Sequence, residues 1–538
     1  MVYLVIIISI TVITVLINMY FSHKRRTQIL TLWANNEKLE HSESYHETFK
    51  FYFENIKRSN DETGIDDITW NDLNMKKIFN NINYAFTSIG EEMLYFRLKA
   101  TYKQHTIDEK MIAKISSDSQ YRVKLSMILA ALGKAPYTNS SKYMFKNPDK
   151  KINKLIFLLS ILPLVGLCLL GISLPAGLSL FFASALVNSF LFYMNRTKNE
   201  AEFESLFYCL HIILTSRKIA KLNKDTAFLK KTSNLKNAPF ISVLLLKDDT
   251  TGTNIILHIL TIVKAIFLLE HLIFHYIIRI LLNNRNVYEI AWKKTAELDF
   301  FYSVALWRKT LPYYCVPTFN SENSFAIHDA YHPLVKNPIG NDFSFHTNSL
   351  LTGSNASGKS TFMKTIALNI VFSQALNTST SKQINLTRGL VYSTMAMADD
   401  IEKGQSYFLS EIMALKRIFD TVKTDKQIFV YLFIDEIFKG TNTVERIAAA
   451  KSVLNYLNDC QQTRIMAATH DIELTEMLAG TFMNYHFREY INNDEIYFDY
   501  SIKEGAAYTR NAIELLRITG FPKKVYDDAL GNVSKRSR

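Results

Sequence analysis

Leu350-Leu351-Thr352-Gly353-Ser354-Asn355-Ala356-Ser357-Gly358-Lys359-Ser360-Thr361 is the run from which the C-terminal half of the chain can be read. It closes an apolar, strand-like segment, carries the spacing GxxxxGK[ST], and leads into Phe362 to Phe372, where apolar residues recur at helical intervals. In a strand, glycine loop and helix of this kind, small residues let backbone N–H groups approach phosphate oxygens while the helix N-terminus adds partial positive charge. Lys359 is expected to reach the β and γ phosphates and Ser360 to ligate Mg²⁺, so the whole run from Gly353 to Thr361 is the expected ATP-binding loop, with ATP and Mg²⁺ as its ligands.

Such a loop needs a second, buried strand that ends in carboxylates. Ile428-Phe429-Val430-Tyr431-Leu432-Phe433-Ile434-Asp435-Glu436 supplies one, with Asp435 expected to hold the metal and Glu436 to polarise the attacking water. A third strand, Thr463 to Thr469, ends in His470-Asp471, which puts an imidazole where it can sense the γ-phosphate. Strands alternating with helices throughout this half predict an α/β domain built on a parallel sheet covered on both faces.

Outward from this half, the balance changes. The chain has 538 residues, 48% of them hydrophobic, with only 17 Gly and 10 Pro, which excludes low-complexity or wholly disordered architecture. Its four cysteines, Cys168, Cys209, Cys315 and Cys460, lack CxxC spacing, so neither a zinc ribbon nor a disulfide framework is expected. The net charge is +12, yet residues 311–538 hold 23 basic and 24 acidic side chains, so the positive excess lies upstream. That bias suits membrane-flanking cations as well as nucleic-acid contact.

Residues 2–21 are free of charge, about the roughly 20 residues a helix needs to cross a bilayer, and are followed by Lys24, Arg25 and Arg26. They predict an uncleaved anchor with its N-terminus outside. Residues 155–194 are a second charge-free stretch about twice that length, interrupted at Ser173-Leu174-Pro175-Ala176-Gly177 and flanked by Lys150, Lys151, Lys154, Arg196 and Lys198. A hairpin of two spans with both flanks inside fits that pattern. Ile255 to Leu282 is also apolar but contains Lys264, Glu270, His271, His275 and Arg279, each costly at bilayer depth, and is expected to be one long, partly buried helix. Three spans place the C-terminal half in the cytoplasm of a multi-pass cell-membrane protein, where ATP is available.

At the level of ordered motifs the C-terminal half resembles the MutS family of mismatch-repair ATPases. Gly353 to Thr361 is similar to that family's GPNMGGKST loop, sharing Asn355; Asp399 to Glu411 is similar to its signature segment; Asp435 to Asn442 matches its DEIGRGTS-like run, and Ala468 to Thr475 its histidine segment. Tyr331-His332-Pro333 resembles the element that opens its ATPase domain, and Gly505 to Pro522 its C-terminal helices. More weakly, Ile68 to Tyr95 and Glu297 to Ser303 look like parts of the MutS helical core. The resemblance implies an ABC-ATPase-like P-loop NTPase domain, a homodimer in which Ser406 reaches the phosphate bound by the partner, Mg-dependent ATP hydrolysis with Glu436 and His470 as catalytic residues, and DNA as a possible partner.

The departures bear on function. Only residues 22 to about 60 separate the first apolar stretch from core-like sequence, and an apolar hairpin stands where the DNA clamp would fall, so mismatch-reading and clamp regions are not expected. The expected organisation is an anchor over residues 1–22, a helical core-like segment over 23–150, a membrane hairpin over 151–196, a helical continuation over 197–310 and the ATPase domain over 311–538. This is an α/β domain plus an all-α region with transmembrane helices, expected to couple ATP turnover to mismatched or branched DNA. The alternative is an ATP-driven membrane switch acting on a protein partner without DNA. An ABC-transporter reading lacks its LSGGQ-type signature.

Overall fold

The computed structural model describes residues 19–20, 23–38, 48–60, 64–101, 107–135, 138–145, 154–235, 255–354, 357–395, 407–424, 428–438, 441–492, 495–506 and 512–536. The chain divides into two compact units, one of Met1–Glu62, Ile82–Phe96 and Asp108–Thr310, the other of Thr63–Asn81, Arg97–Ile107 and Leu311–Arg538.

The first unit is helical. Its described helices include α1 (Lys154–Leu169), α2 (Leu174–Leu222), α3 (Ile255–Ile266), α4 (Leu269–Asn283) and α5 (Arg285–Thr310). Helix α5 runs through the core, burying Tyr288, Trp292 and Trp307 completely or nearly so. Its polar atoms are spent on the chain around it: Trp292 Nε1 donates to Ser140 Oγ at 3.0 Å and Tyr288 OH to the Ser140 carbonyl at 3.1 Å. Asp299, also buried, accepts from the Phe86 and Thr87 N–H groups at 3.0 and 2.8 Å and from the Thr87 hydroxyl at 2.6 Å. Gly90 is obligatory there, since a Cβ would lie 2.3 Å from Asp299 Oδ2. Burial pushes the Asp299 carboxyl up to about 6, against the opposing pull of these donors and of Lys134.

The apolar segments take a different form from the expected three spans. Residues 1–18, 21 and 22 of the first lie outside the described residues. In the second, α1 and α2 pack closely because Gly166 and Gly177 leave no side chain between backbones: a Cβ on Gly166 would approach the Phe181 nitrogen to 2.8 Å, and one on Gly177 the Leu170 nitrogen to 2.7 Å. Leu174–Met194 is long and apolar enough to cross a membrane, whereas Leu155–Leu169 is a shorter apolar helix. The hairpin boundary expected at 196 is not a break, since α2 continues unbroken to Leu222. Ile255 to Leu282 is not one helix. It bends by 78° between Ile266 and Leu269, with Leu268 in the left-handed region at φ 49°.

The second unit holds twelve strands among its described residues: β1 (Thr318–Asn320), β2 (Phe325–Ala330), β3 (Asn341–Ser344), β4 (Asn348–Thr352), β5 (Gln383–Thr387), β6 (Leu390–Thr394), β7 (Val430–Asp435), β8 (Thr463–Ala468), β9 (Phe482–His486), β10 (Glu489–Asn492), β11 (Glu495–Phe498) and β12 (Lys503–Glu504). Six form one sheet in the order β12-β9-β4-β8-β7-β6, parallel except for β12 at the edge. Helices α6 (Lys359–Leu376), α7 (Tyr407–Thr424) and α8 (Thr443–Asn458) follow β4, β6 and β7 in the chain. Alternation sorts the faces: Val430, Leu432 and Ile434 join Leu415, Ile418, Ala450 and Leu454 in one buried cluster. The sequence did not announce a second, four-stranded sheet, β1-β5-β2-β3, which is mixed rather than parallel. Phe325 and Phe345 from its neighbourhood meet Tyr431 of β7, with ring centroids 6.0 and 6.4 Å away.

Two upstream pieces belong to this unit rather than to the helical one. Thr69 Oγ1 accepts from the Ser393 N–H at 3.0 Å, and buried Asp72 accepts from Ser393 Oγ at 2.7 Å and the Met395 N–H at 2.9 Å. Asp66 pairs with Arg417 of α7.

Candidate nucleotide site

Register brings the motifs together. Leu351 of β4 stands opposite Ala468 of β8, and Ala468 opposite Asp435 of β7. The residues that follow, Gly353, His470 and Glu436, therefore emerge at one end of the sheet, the carboxyl end where open α/β sheets bind ligands.

The loop itself is shaped by two glycines. Gly353 has φ +134° and packs against the Phe487 carbonyl, where a Cβ would sit 2.5 Å from the oxygen. Gly358 has φ +106° and lies against the Tyr500 ring. Ser357 donates through N–H and hydroxyl to the Ser354 carbonyl, at 3.2 and 2.7 Å, and Ser354 Oγ donates to Glu489 at 3.0 Å. Lys359, first residue of α6, arches back to donate to the carbonyls of Gly353 at 2.5 Å and Ser354 at 2.9 Å, which places its ammonium over the loop. Thr361 is exposed on the first turn; Asn355 and Ala356 lie outside the described residues.

Ser360 Oγ donates to Asp435 Oδ2 at 2.5 Å. A hydroxyl and a carboxylate in contact at a helix N-terminus are hard oxygen donors of the kind Mg²⁺ takes, so these residues fit the ion. One residue on, Glu436 adopts φ 54° and its N–H bonds the Ala468 carbonyl at 2.9 Å. That turn aims its carboxylate at His470, whose Nε2 is 2.9 Å from Glu436 Oε1. The neighbouring Asp471 receives both arms of Arg446, at 2.9 and 2.6 Å, an ion pair that raises the already high Arg446 pKa. Of the predicted site residues, Lys359, Ser360, Asp435, Glu436 and His470 are thus assembled, while Ser406 lies outside the described residues.

Sequence reasoning missed the neighbouring cleft, about 480 Å³ in volume, lined by His332, Pro338, Ile339, Asn341, Phe487 and Tyr500 beside Gly358 and Ser360. Asn341 ties its walls together, donating to the Tyr500 carbonyl at 3.0 Å and accepting from the Ile502 N–H at 2.8 Å. Burial, with the Lys364 charge, lowers His332 to about 4, so it is a neutral, partly apolar surface at ordinary pH. The size and half-apolar lining suit a purine nucleoside. The His-Pro pair was the one signal in the sequence; Asn341 opens the short strand β3 and Tyr500 lies in a loop, and neither carries a pattern.

The family MutS domain V matches residues 349–535. Among curated relatives, the DNA mismatch repair protein MutS of Streptococcus pyogenes serotype M49 is 28% identical over 265 residues, which is 46% of this chain and 30% of the relative. The same protein of Streptococcus agalactiae serotype Ia is 29% identical over 267 residues, 47% of this chain and 30% of the relative. Over residues 349–535 the chain is thus similar to MutS domain V, which supports placing it with the MutS family. It spans about a third of the length of these MutS relatives.

Proposed function

We propose that the chain is a membrane-anchored, MutS-family Mg-ATPase that works as a homodimer and couples ATP turnover to DNA. The observation that carries the enzymatic part is the contact of Ser360 with Asp435 beneath the glycine loop, with the Glu436 and His470 pair at the same end of the sheet. Lys359 neutralises phosphate charge, and Ser360 with Asp435 holds the metal, which when bound screens the phosphate oxygens. Glu436 takes a proton from the attacking water, and His470, hydrogen-bonded to that carboxylate, keeps it oriented. Ser406 of the opposing protomer is assigned, through the family resemblance, to the γ-phosphate.

The DNA half of the proposal rests on relatives named DNA mismatch repair proteins. Anchoring rests on Leu174–Met194 and its close-packed partner α1, whose exposed faces carry Leu158, Leu164, Phe182, Leu186 and Phe190. Cations on both flanks of the hairpin support a cytoplasmic position for the ATPase unit. A second reading, a membrane switch that moves a protein partner without DNA, is favoured by α2, whose 49 residues form one rod from the apolar hairpin into the helical core.

The test is the ATPase rate of the solubilised full chain with linear, mismatched and branched DNA over a range of salt, beside direct DNA binding and a Lys359→Ala control. Selective binding and altered turnover at near-physiological salt support the DNA reading. DNA-independent turnover, with binding that vanishes as salt rises, leaves the switch. Unchanged turnover in Lys359→Ala refutes the site itself.

A further inference from the structure

We propose that the broken helix pair from Ile259 to Asn283 is a lipid-facing wedge, set in the bilayer leaflet on the side of the hairpin's cationic flanks, that bends at Leu268 without crossing. This rests on the anchoring reading of the hairpin.

The first support is backbone accounting. In hydrocarbon, every backbone carbonyl must find a donor within the protein. Two that lose a helical partner are answered by one side chain. Pro163, inside α1, has no N–H to offer the Leu159 carbonyl four residues back. Ile266 ends α3, and its carbonyl has no following turn to pair with. Asn188, fully buried in the charge-free part of α2, donates its amide to both, at 2.9 Å to Leu159 and 2.8 Å to Ile266. One side chain thus closes the gaps left by both helix interruptions, and it locks the broken pair to the hairpin at membrane level. Phe192, Ala265 and Leu268 complete the joint as a small buried cluster with Leu159 and Leu191.

Three of the five groups that argued against lipid contact, Lys264, Glu270 and Arg279, are placed compatibly with it. Lys264 and Glu270 face each other across the bend at 3.5 Å, with side chains only 1% and 10% exposed. Turned inward, they leave Ile259, Ile262, Val263 and Tyr276 on the outer surface. Arg279 is exposed about three turns past the bend, at 3.6 residues per turn, where its long stem can carry its charge to the headgroups.

Lengths fix the depth. At about 1.5 Å per residue, α3 rises about 18 Å, well short of the roughly 30 Å hydrocarbon layer. Leu159 lies about 8 Å along α1 from Lys154 by the same rise, so the joint is shallow. A 78° bend then sends the chain away from a crossing course, and both ends of the pair stay on one side.

The test uses the full chain in phosphatidylcholine vesicles, with Cys168, Cys315 and Cys460 replaced by serine and buried Cys209 retained. An environment-sensitive fluorophore is attached at Ile262→Cys or, as the anchor's own reporter, at Phe182→Cys. Quenchers are lipids with a nitroxide near the headgroup or at mid-chain, and iodide in the water. The expected result is quenching at 262 by the headgroup-proximal nitroxide, at 182 by the mid-chain nitroxide, and protection of both from iodide. Lipid quenching at 182 with iodide quenching at 262 overturns the wedge and leaves the anchor standing. Lipid quenching at 182 with protection of 262 from every quencher also overturns it, since a protein surface such as a second copy then covers the pair. Absence of lipid quenching at 182 refutes the anchor, and the wedge with it.

Discussion

Replacing Glu436 by glutamine separates binding from hydrolysis at this site. The amide keeps the volume of the carboxylate and an oxygen that accepts from His470 Nε2, at 2.9 Å in the native pair, so the left-handed turn at Glu436 is preserved. What is lost is the ability to take a proton from water. General-base catalysis is worth about 10²- to 10⁴-fold, or about 2.7 to 5.5 kcal/mol of barrier. None of the groups proposed to touch phosphate or metal is altered: Lys359 remains over the Gly353 and Ser354 carbonyls and Ser360 on Asp435. The Glu436→Gln chain should therefore bind ATP with near-native affinity and hydrolyse it at least about a hundredfold more slowly. Single-turnover hydrolysis, with nucleotide affinity measured by fluorescence on the same protein, gives both numbers. Turnover within a few-fold of the native rate, or a rate loss matched by an equal loss of affinity, would refute the assignment of Glu436 as base.

Two further outcomes concern stability. The Asp299 carboxyl is held at about 6 in the fold against 3.8 when exposed, a difference worth about 3 kcal/mol. Because the folded value is the higher one, its favourable contribution is complete below about pH 4 and is lost as pH rises through 6. The difference in unfolding free energy between native chain and Asp299→Asn should shift across that window and be flat above it; parallel curves would refute the assignment. Asn188→Leu strips the donor from the Leu159 and Ile266 carbonyls, at about 1 to 3 kcal/mol each. Pro163→Ala returns an N–H to the first of them, so Asn188→Leu should cost about 1 to 3 kcal/mol less in the Pro163→Ala background, read from thermal unfolding in detergent. Strict additivity would show that Asn188 does not serve the Leu159 carbonyl.

What the sequence disclosed and what it hid follow from the range of the interactions. The loop, the Asp435-Glu436 pair and His470 are each local patterns at a strand end, and parallel pairing in register needs nothing more to bring them to one end of the sheet. The cleft beside them is made by Asn341 and Tyr500, 159 residues apart and joined only through a side-chain amide. No periodicity marks such a pair. The helix break at Leu268 was hidden for a related reason: Ile266-Phe267-Leu268-Leu269 contains neither Gly nor Pro. A leucine in the left-handed region costs about 1 to 2 kcal/mol, which the Asn188 bonds and the inward-turned Lys264 and Glu270 offset. Nor does the sequence show that Lys264 and Glu270, each costly at bilayer depth, face each other at 3.5 Å. Their burial agrees with the expected partly buried segment.

The segment between β6 and α7, which carries Ser406, is fixed at both of its borders by the site's own surroundings. At its start, Met395 donates to Asp72, and Ser393 is held by Thr69 and Asp72. After it, α7 is held by Arg417 against Asp66 and by Glu411, which accepts the Phe438 N–H. Phe438 is two residues beyond Glu436, and both have positive φ, 60° and 54°. Non-glycine residues in that region persist only where surrounding contacts impose it. Glu411 is such a contact, buried at 4% exposure, so the turn that presents the base and the helix that follows the signature segment share one carboxylate. A rearrangement of the turn when Glu436 gives up or takes a proton cannot leave α7 unaffected without breaking a buried charge-assisted hydrogen bond, at a cost of about 1.5 to 3 kcal/mol. Within one protomer, the turn that carries the proposed base and helix α7 are therefore coupled through Glu411.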